Sequence, residues 1–345
     1  MPALRELGQP TEKIEDDEAV TLGRPKSGLG FNSLYNSLLH NLLDVFRPLR
    51  WYRNLSMLLG AMLAVRVTGL GWAHAPTQTP LRSFLLSFAA LCLVASANYG
   101  LNEILDAATD RHHPRKKLRA IPAGRVSWRL VLALSLALYA AGLGLICRLH
   151  NPMLTLSLCL LALSGFLYNV RPFRFKDRPY LDFSFEALNN PIRLMVGWYS
   201  LTPAHIPIPA SFVLSFWFLG CFLMAAKRFG ELRFIADPHD AAAYRQSLRF
   251  YTEQNLLCSM ICALMAFSFL LGFFCLKYGL DAVLVLPFIL AWTAWFLSLA
   301  YQENTIVKDP ERLFEKREFL CFSVFSLVAF FYLFYTGNQF LGWIK

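Results

Sequence analysis

Charge is scarce in this chain. Only 16% of its 345 residues are Asp, Glu, Lys or Arg, where a soluble domain carries about a quarter. Hydrophobic residues make up 56%, including 30 Phe, and mean hydropathy is +0.42. That composition excludes a pair of soluble domains and points to an all-α polytopic membrane protein. Cysteine pairs are lacking as well. The eight Cys form no Cys-x-x-Cys and all fall in apolar stretches, which argues against disulfides and structural zinc. Histidine shows no metal-ligand spacing, since His112 and His113 are adjacent and cannot share a helix face. A Walker-type glycine loop and a nucleophile elbow are absent too, which excludes ATP hydrolysis and hydrolytic triads. Residues 1–40 lack the apolar core of a signal peptide. Their mixed charge and Gly, Pro and Ser content predict a disordered cytoplasmic tail, with 41–345 as one transmembrane domain.

What is present begins with apolar runs. About nine stretches are long enough to span a bilayer, near 54–72, 83–105, 128–148, 152–169, 183–200, 209–227, 255–277, 281–301 and 319–337. The fifth holds Glu186, Asn189, Asn190, Pro191 and Arg193, so it either lines a polar cavity or re-enters the membrane. Basic residues sit in alternate connections: Arg47, Arg50 and Arg53; Arg111 to Arg129; Arg171, Arg174, Lys176 and Arg178; Lys227 to Arg249; and Lys308 to Arg317. Arg82, Arg148 and Lys277 are the main exceptions on the opposite side. By the positive-inside rule this places the N-terminus and the basic loops in the cytoplasm. It also assigns the net charge of +10 to orientation and anionic ligands, with no nucleic-acid partner.

Polar residues leave the second apolar run as a ladder, Asn102, Asp106 and Asp110, followed by Arg111, Arg115, Lys116, Lys117 and Arg119. Residues four apart share nearly one helix face, so the three could present oxygen ligands within about 12 Å of axial length. Such oxygens suit Mg²⁺, which is commonly shared with substrate phosphates, and the neighbouring cations suit a diphosphate. The competing account is a charged helix end reaching for the interface. Three further segments carry polar residues. In Arg47 to Asn54, Arg53 and Trp51 mark either a substrate mouth or a membrane anchor. In Tyr168 to Asp182 and the run beyond it, Lys176 and Arg193 can reach an anion. In Lys227 to Phe234, Lys227 and Glu231 are one turn apart with Arg228 between them, as a site or as a structural ion pair. Asp106, Asp110, Lys227 and Glu231 are the expected catalytic residues, and Asn102, Asp106 and Asp110 the expected metal ligands.

These residues resemble the UbiA-type intramembrane prenyltransferases. The likeness lies in Asn102-Glu103-Ile-Leu-Asp106-Ala-Ala-Thr-Asp110 and in Arg119-Ala120-Ile-Pro122-Ala-Gly124, where Glu103 and Ala120 replace the usual Asp and Pro. Within that superfamily the chain is most similar to the polyprenyl-phosphate phosphoribosyltransferases. It shares with them Arg47-Pro48-Leu-Arg-Trp51-Tyr-Arg53-Asn54, Asp110-Arg111-His112-His113-Pro114, Lys227 to Leu232, and Arg245 to Leu248. The resemblance implies a UbiA-like bundle of nine helices around a lipid-open cavity in the bacterial inner membrane, with a cytoplasmic active site. It implies a phosphoribosyl pyrophosphate donor, an isoprenoid lipid phosphate as acceptor, and pyrophosphate leaving from Mg²⁺ on Asn102, Asp106 and Asp110. Lys116, Lys117 and Arg119 then assist the leaving group, and Lys227, Arg228 and Arg193 hold the lipid phosphate. Prenyl transfer to an aromatic or quinone-precursor acceptor is the enzymatic alternative, and a membrane transporter is the alternative of another class.

Overall fold

The structure, a computed structural model, describes residues 31–69, 80–111, 116–235, 245–278, 281–302 and 316–336. The expected positions Arg115, His112, His113, Pro114, Lys308 and Arg312 lie outside the described residues, as do 1–30 of the expected tail. Helix α1 (Phe31–Phe46) begins inside the 1–40 segment expected to be tail. It is followed by α2 (Met57–Thr68), α3 (Pro80–Asp110), α4 (Trp128–Cys147), α5 (Pro152–Asn169), α6 (Leu181–Ala187) and α7 (Asn189–Tyr199). The remaining helices are α8 (Ala210–Phe234), α9 (Glu253–Lys277), α10 (Leu286–Ala300) and α11 (Arg317–Thr336). No strand occurs among the described residues.

Seven helices are long and apolar enough to cross a membrane among the described residues. The other two of the nine expected runs are each broken into shorter helical pieces within the same all-α bundle. The run 54–72 opens as a 3₁₀ helix over Pro48–Ser56, and α2 stops at Gly69, whose φ of 67° is left-handed. Its twelve residues cover only about 18 Å. The run 183–200 divides into α6 and α7 at Leu188. Pro191 lacks the N–H that would bond the Ala187 carbonyl, and its ring crowds that carbonyl, so a continuous helix cannot run through this point.

Local chemistry fixes the helix ends. Asn151 accepts from the backbone N–H groups of Met153 and Leu154 at 3.2 and 3.3 Å, capping α5. Its amide donates to the Tyr199 and Thr202 carbonyls at 2.8 and 2.9 Å, tying the start of α5 to the end of α7. A Cβ on Gly197 would sit 1.8 Å from the Met57 carbonyl oxygen, and one on Gly60 would sit 2.0 Å from that of Leu194. Only glycine allows α2 and α7 to approach so closely. That approach carries Asn54, just before α2, to Arg193 on α7, where Arg193 Nε donates to Asn54 Oδ1 at 2.9 Å.

The main core joins α2, α3, α5, α7, α8 and α9 through residues such as Leu91, Leu158, Trp198 and Phe274. A second cluster joins α6, α8, α9 and α10 around Phe222 and Phe229. A small third cluster seats α1 on the loop after α3, through Val45, Ala120, Ile121 and Val126. The outer faces are apolar, with Met265, Phe269 and Leu276 of α9 about two-thirds exposed or more, as a surface solvated by lipid requires. Helix α3 has 31 residues, about 46 Å of rise against a hydrocarbon core of about 30 Å. It is thus longer than the apolar layer is thick, and its last turns carry the Asn/Asp ladder.

Candidate active site

Steps of four residues advance about 40° around a helix, so the ladder turns slowly across the face of α3, and the structure divides it. Asn102 and Asp106 face the loop after α5. There the Lys176 ammonium bonds Asp106 Oδ1, Asn169 Oδ1 at 2.9 Å and Asn102 Oδ1 at 3.4 Å. Arg174 also reaches Asp106 Oδ1, at 3.2 Å, while its Nε holds Asp177 at 2.6 Å. Asp110, nearly buried, pairs instead with Arg119 at 2.7 Å. The turn that delivers Lys176 is a short 3₁₀ helix, Phe175–Asp177, entered through Arg174 at a left-handed φ of 33°. The Phe175 ring, 4.3 Å from that of Phe185, anchors it. Lys176 is buried, and desolvation pushes its pKa down while Asp106 acts to raise it.

Three oxygens from α3 and α5 thus converge on a single cationic nitrogen, two from amides and one from a carboxylate. Oxygen donors of this type also fit a hard divalent cation. Asn169 was not anticipated from spacing, because it lies on a different helix from the ladder.

The second half of the site centres on Arg228 of α8, whose side chain is fully buried. Its Nε bonds Asp182 at 2.8 Å, its NH2 bonds Glu186 at 2.6 Å and its NH1 bonds Glu231 at 3.0 Å. Asp182 further accepts from Ser247 at 2.9 Å and Tyr251 at 2.5 Å. Tyr168 bridges, donating to Glu186 at 3.2 Å and accepting from Arg245 at 3.4 Å. Arg245 also approaches Glu231, at 3.8 Å. The structural ion pair that was the alternative account of Lys227 and Glu231 does not form: Lys227 lies 3.7 Å from Glu186, and Glu231 turns to the two arginines. A guanidinium without solvent contact needs carboxylates more than Lys227 does, whose side chain keeps 22% of its exposure. Each nitrogen of Arg228 is engaged, which suits a framework more than a ligand for lipid phosphate. Asp182 and Glu186 were missed as its partners. Their i, i+4 spacing in a polar run was the available signal.

Lys116 links the halves. Burial pushes its pKa down, while Asp110 and Asp106 on one side act to raise it and Arg119 and Arg245 act to lower it. Lys116 thus feels charges of both halves, and the adjacent Tyr168 and Asn169 of α5 take part in one network each. Arg193 lies deeper, held by Asn54 and by Asn190 at 3.5 Å. Arg53 is partly exposed, near Tyr52. Arg111 and Lys117 are exposed at the rim. Among the described residues no three His, Cys, Asp or Glu side chains form a metal group, so any metal here relies on the two asparagines.

A helical membrane protein with apolar outer faces and charged side-chain networks gathered near the end of its longest helix has the layout of an integral membrane enzyme acting on an anionic substrate. The chain belongs to the UbiA prenyltransferase family, which it matches over residues 61–314, and it is a UbiA-type transferase. It is 29% identical over 244 residues to decaprenyl-phosphate phosphoribosyltransferase of Mycolicibacterium smegmatis, covering 70% of this chain and 69% of that one. The protein of the same description from Mycobacterium tuberculosis is 28% identical over 220 residues, covering 64% and 68%. A UbiA homolog from Archaeoglobus fulgidus, solved bound to DMAPP and Mg²⁺, superposes with a TM-score of 0.64 over 85% of this chain and 99% of that one. At 17% identity that likeness shows the fold.

Proposed function

We propose that this enzyme transfers 5-phosphoribosyl from phosphoribosyl pyrophosphate to a polyprenyl phosphate at the cytoplasmic face, with Mg²⁺ bound by Asn102 and Asp106 of the expected ladder together with Asn169, while Asp110, paired with Arg119, adds charge from the next turn. The observation that carries the reading is the convergence of the Asn102, Asp106 and Asn169 oxygens on one cationic nitrogen, with Arg174, Lys116 and Arg119 close by. That is a diphosphate-binding arrangement. The likeness to two phosphoribosyltransferases supports the donor. Lys227 of α8, 3.7 Å from Glu186, offers a cation to an acceptor that brings a phosphate of its own. Mg²⁺ bound at the ladder would neutralise charge growing on the leaving pyrophosphate. Lys116, Lys176 and Arg119 would orient that group as the bond from ribosyl C1 to pyrophosphate oxygen breaks. A lipid phosphate oxygen, held near Lys227 and Arg193, forms the new bond to C1. This oxygen is already anionic, so no general base is required. Arg228 fixes the carboxylates around Lys227, and Glu231 belongs to the same frame.

Labelled phosphoribosyl pyrophosphate supplied with polyprenyl phosphate to the purified protein should yield a ribosylated lipid only when Mg²⁺ is present. A prenylated aromatic product from a prenyl diphosphate, with no ribosylated lipid, would replace this reading by the enzymatic alternative.

Lys176 provides a second test, because its ammonium competes with a metal for the same oxygens. Removing a charge-assisted contact worth about 1.4 kcal/mol changes an affinity about tenfold. Lys176→Met should therefore bind Mn²⁺ about tenfold more tightly than the wild type in the absence of donor, read by electron paramagnetic resonance, while turnover falls. Unchanged or weaker metal affinity would remove Asn102 and Asp106 from the metal site.

A further inference from the structure

A cavity of about 1020 Å³ lies on the other flank of α3, between the end of α1, the Pro48–Ser56 turn and the 116–125 loop. Four arginines line it, Arg47, Arg50, Arg119 and Arg125, against two carboxylates, Asp44 and Glu103. Asn102, Asp106 and Lys176 do not line it.

The arginines are held from behind. Arg47 lies 3.6 Å from Glu103, and the Arg47 and Arg50 guanidinium carbons are 5.4 and 5.9 Å from the centre of the Tyr99 ring. Arg125 donates to the Leu118 carbonyl at 2.6 Å, and Arg119 holds Asp110 at 2.7 Å. Arg47 stands at a left-handed φ of 50°, which a non-glycine residue seldom adopts, and it hydrogen-bonds through its N–H to the Leu43 carbonyl at 2.9 Å. Burial pushes its pKa down, and the charges of Arg50 and Arg119 add to that shift. Like charges crowd this space, and an anion placed among them would relieve the repulsion.

We propose that this cavity binds a phosphomonoester, and that in the reaction proposed above it takes the 5-phosphate of the sugar donor. The inference rests on that reading. A phosphoribosyl pyrophosphate carries anions at both ends of the ribose and needs two cationic sites joined by a sugar-sized gap. Arg119 is common to both, lining the cavity while it holds the last rung of the ladder. A prenyl diphosphate has a single anionic end, which the ladder already serves, and leaves these four arginines without an anion. The cavity therefore sets donor choice, and it gives a role to the Arg47–Asn54 segment that a membrane anchor does not.

The test uses the purified full chain in detergent, with ribose 5-phosphate, inorganic pyrophosphate and dioctanoyl phosphatidic acid as separate probes. Arg50→Gln should weaken ribose 5-phosphate binding and raise KM for phosphoribosyl pyrophosphate about tenfold each, while leaving inhibition by pyrophosphate unchanged. On the wild-type protein, ribose 5-phosphate should protect Arg47 and Arg50 from phenylglyoxal, read by peptide mapping. Equal losses for ribose 5-phosphate and pyrophosphate, or no protection, would overturn the assignment. Binding of phosphatidic acid without ribose 5-phosphate would overturn it in favour of a lipid headgroup. Failure of the wild type to use phosphoribosyl pyrophosphate at all overturns the functional reading and this inference with it. Normal use of that donor by Arg50→Gln overturns this inference alone.

Discussion

Asp106→Asn should lower kcat by about 10²–10³ with little change in the amount of folded protein. The side chain keeps its shape and still offers an oxygen to Lys176 and Arg174, so the local turn is preserved. What disappears is the only formal negative charge in the set of oxygens that converge on Lys176. Without it, two amides and an Asn carbonyl face a divalent cation, and hard cations bind poorly to neutral oxygens alone. Half-saturation by Mg²⁺ should therefore move to higher concentration along with the fall in kcat. Asp110→Asn should be milder, because Asp110 is held by Arg119 and contributes charge from one step around the helix. Turnover of labelled donor over a Mg²⁺ series, with size-exclusion profiles as the folding control, checks both variants. Wild-type turnover in Asp106→Asn would take the ladder out of the chemistry.

The regular spans were legible in the sequence because lipid imposes a simple rule, a long apolar run with its polar backbone satisfied internally. The bounds of α4 and α5 agree with the runs read at 128–148 and 152–169 within a residue. The two interrupted segments were harder to read. Their apolar content is right, but Gly69 ends one and Pro191 breaks the other, and single residues of this kind weigh little in a window average. The ladder was visible because three polar residues at a spacing of four have no role in an apolar run. The partners were not visible. Asp106 is met by Arg174 and Lys176, 68 and 70 positions along the chain, and Lys176 also gathers Asn169; nothing in local spacing encodes that meeting. The Lys227 and Glu231 pair shows the same limit. A favourable i, i+4 spacing is worth only a few tenths of a kcal/mol, which a buried arginine in need of carboxylates easily overrides.

That buried arginine gives the largest expected loss of stability. In Arg228→Met, Asp182, Glu186 and Glu231 lose the guanidinium that contacts all three, and two of them are almost fully buried. Removing one partner of a buried ion pair costs about 3–5 kcal/mol, since the remaining charge is left in a medium that solvates it poorly. Ser247 and Tyr251 still donate to Asp182, but they carry no charge. Arg228→Met should therefore be recovered in low yield, with a detergent-solubilised Tm many degrees lower. Arg228→Lys separates the framework role from the alternative role as a phosphate ligand. A lysine keeps the charge, but its compact ammonium lacks the planar span with which the three guanidinium nitrogens reach Asp182, Glu186 and Glu231 in different directions. If Arg228 is framework, the Lys variant should lose stability, and the KM for polyprenyl phosphate in the protein that survives should stay near the wild-type value. If it binds the lipid phosphate directly, the Lys variant should hold its Tm and raise that KM. Thermal unfolding and acceptor titration on the same preparation distinguish the two, and the three occupied nitrogens favour the first.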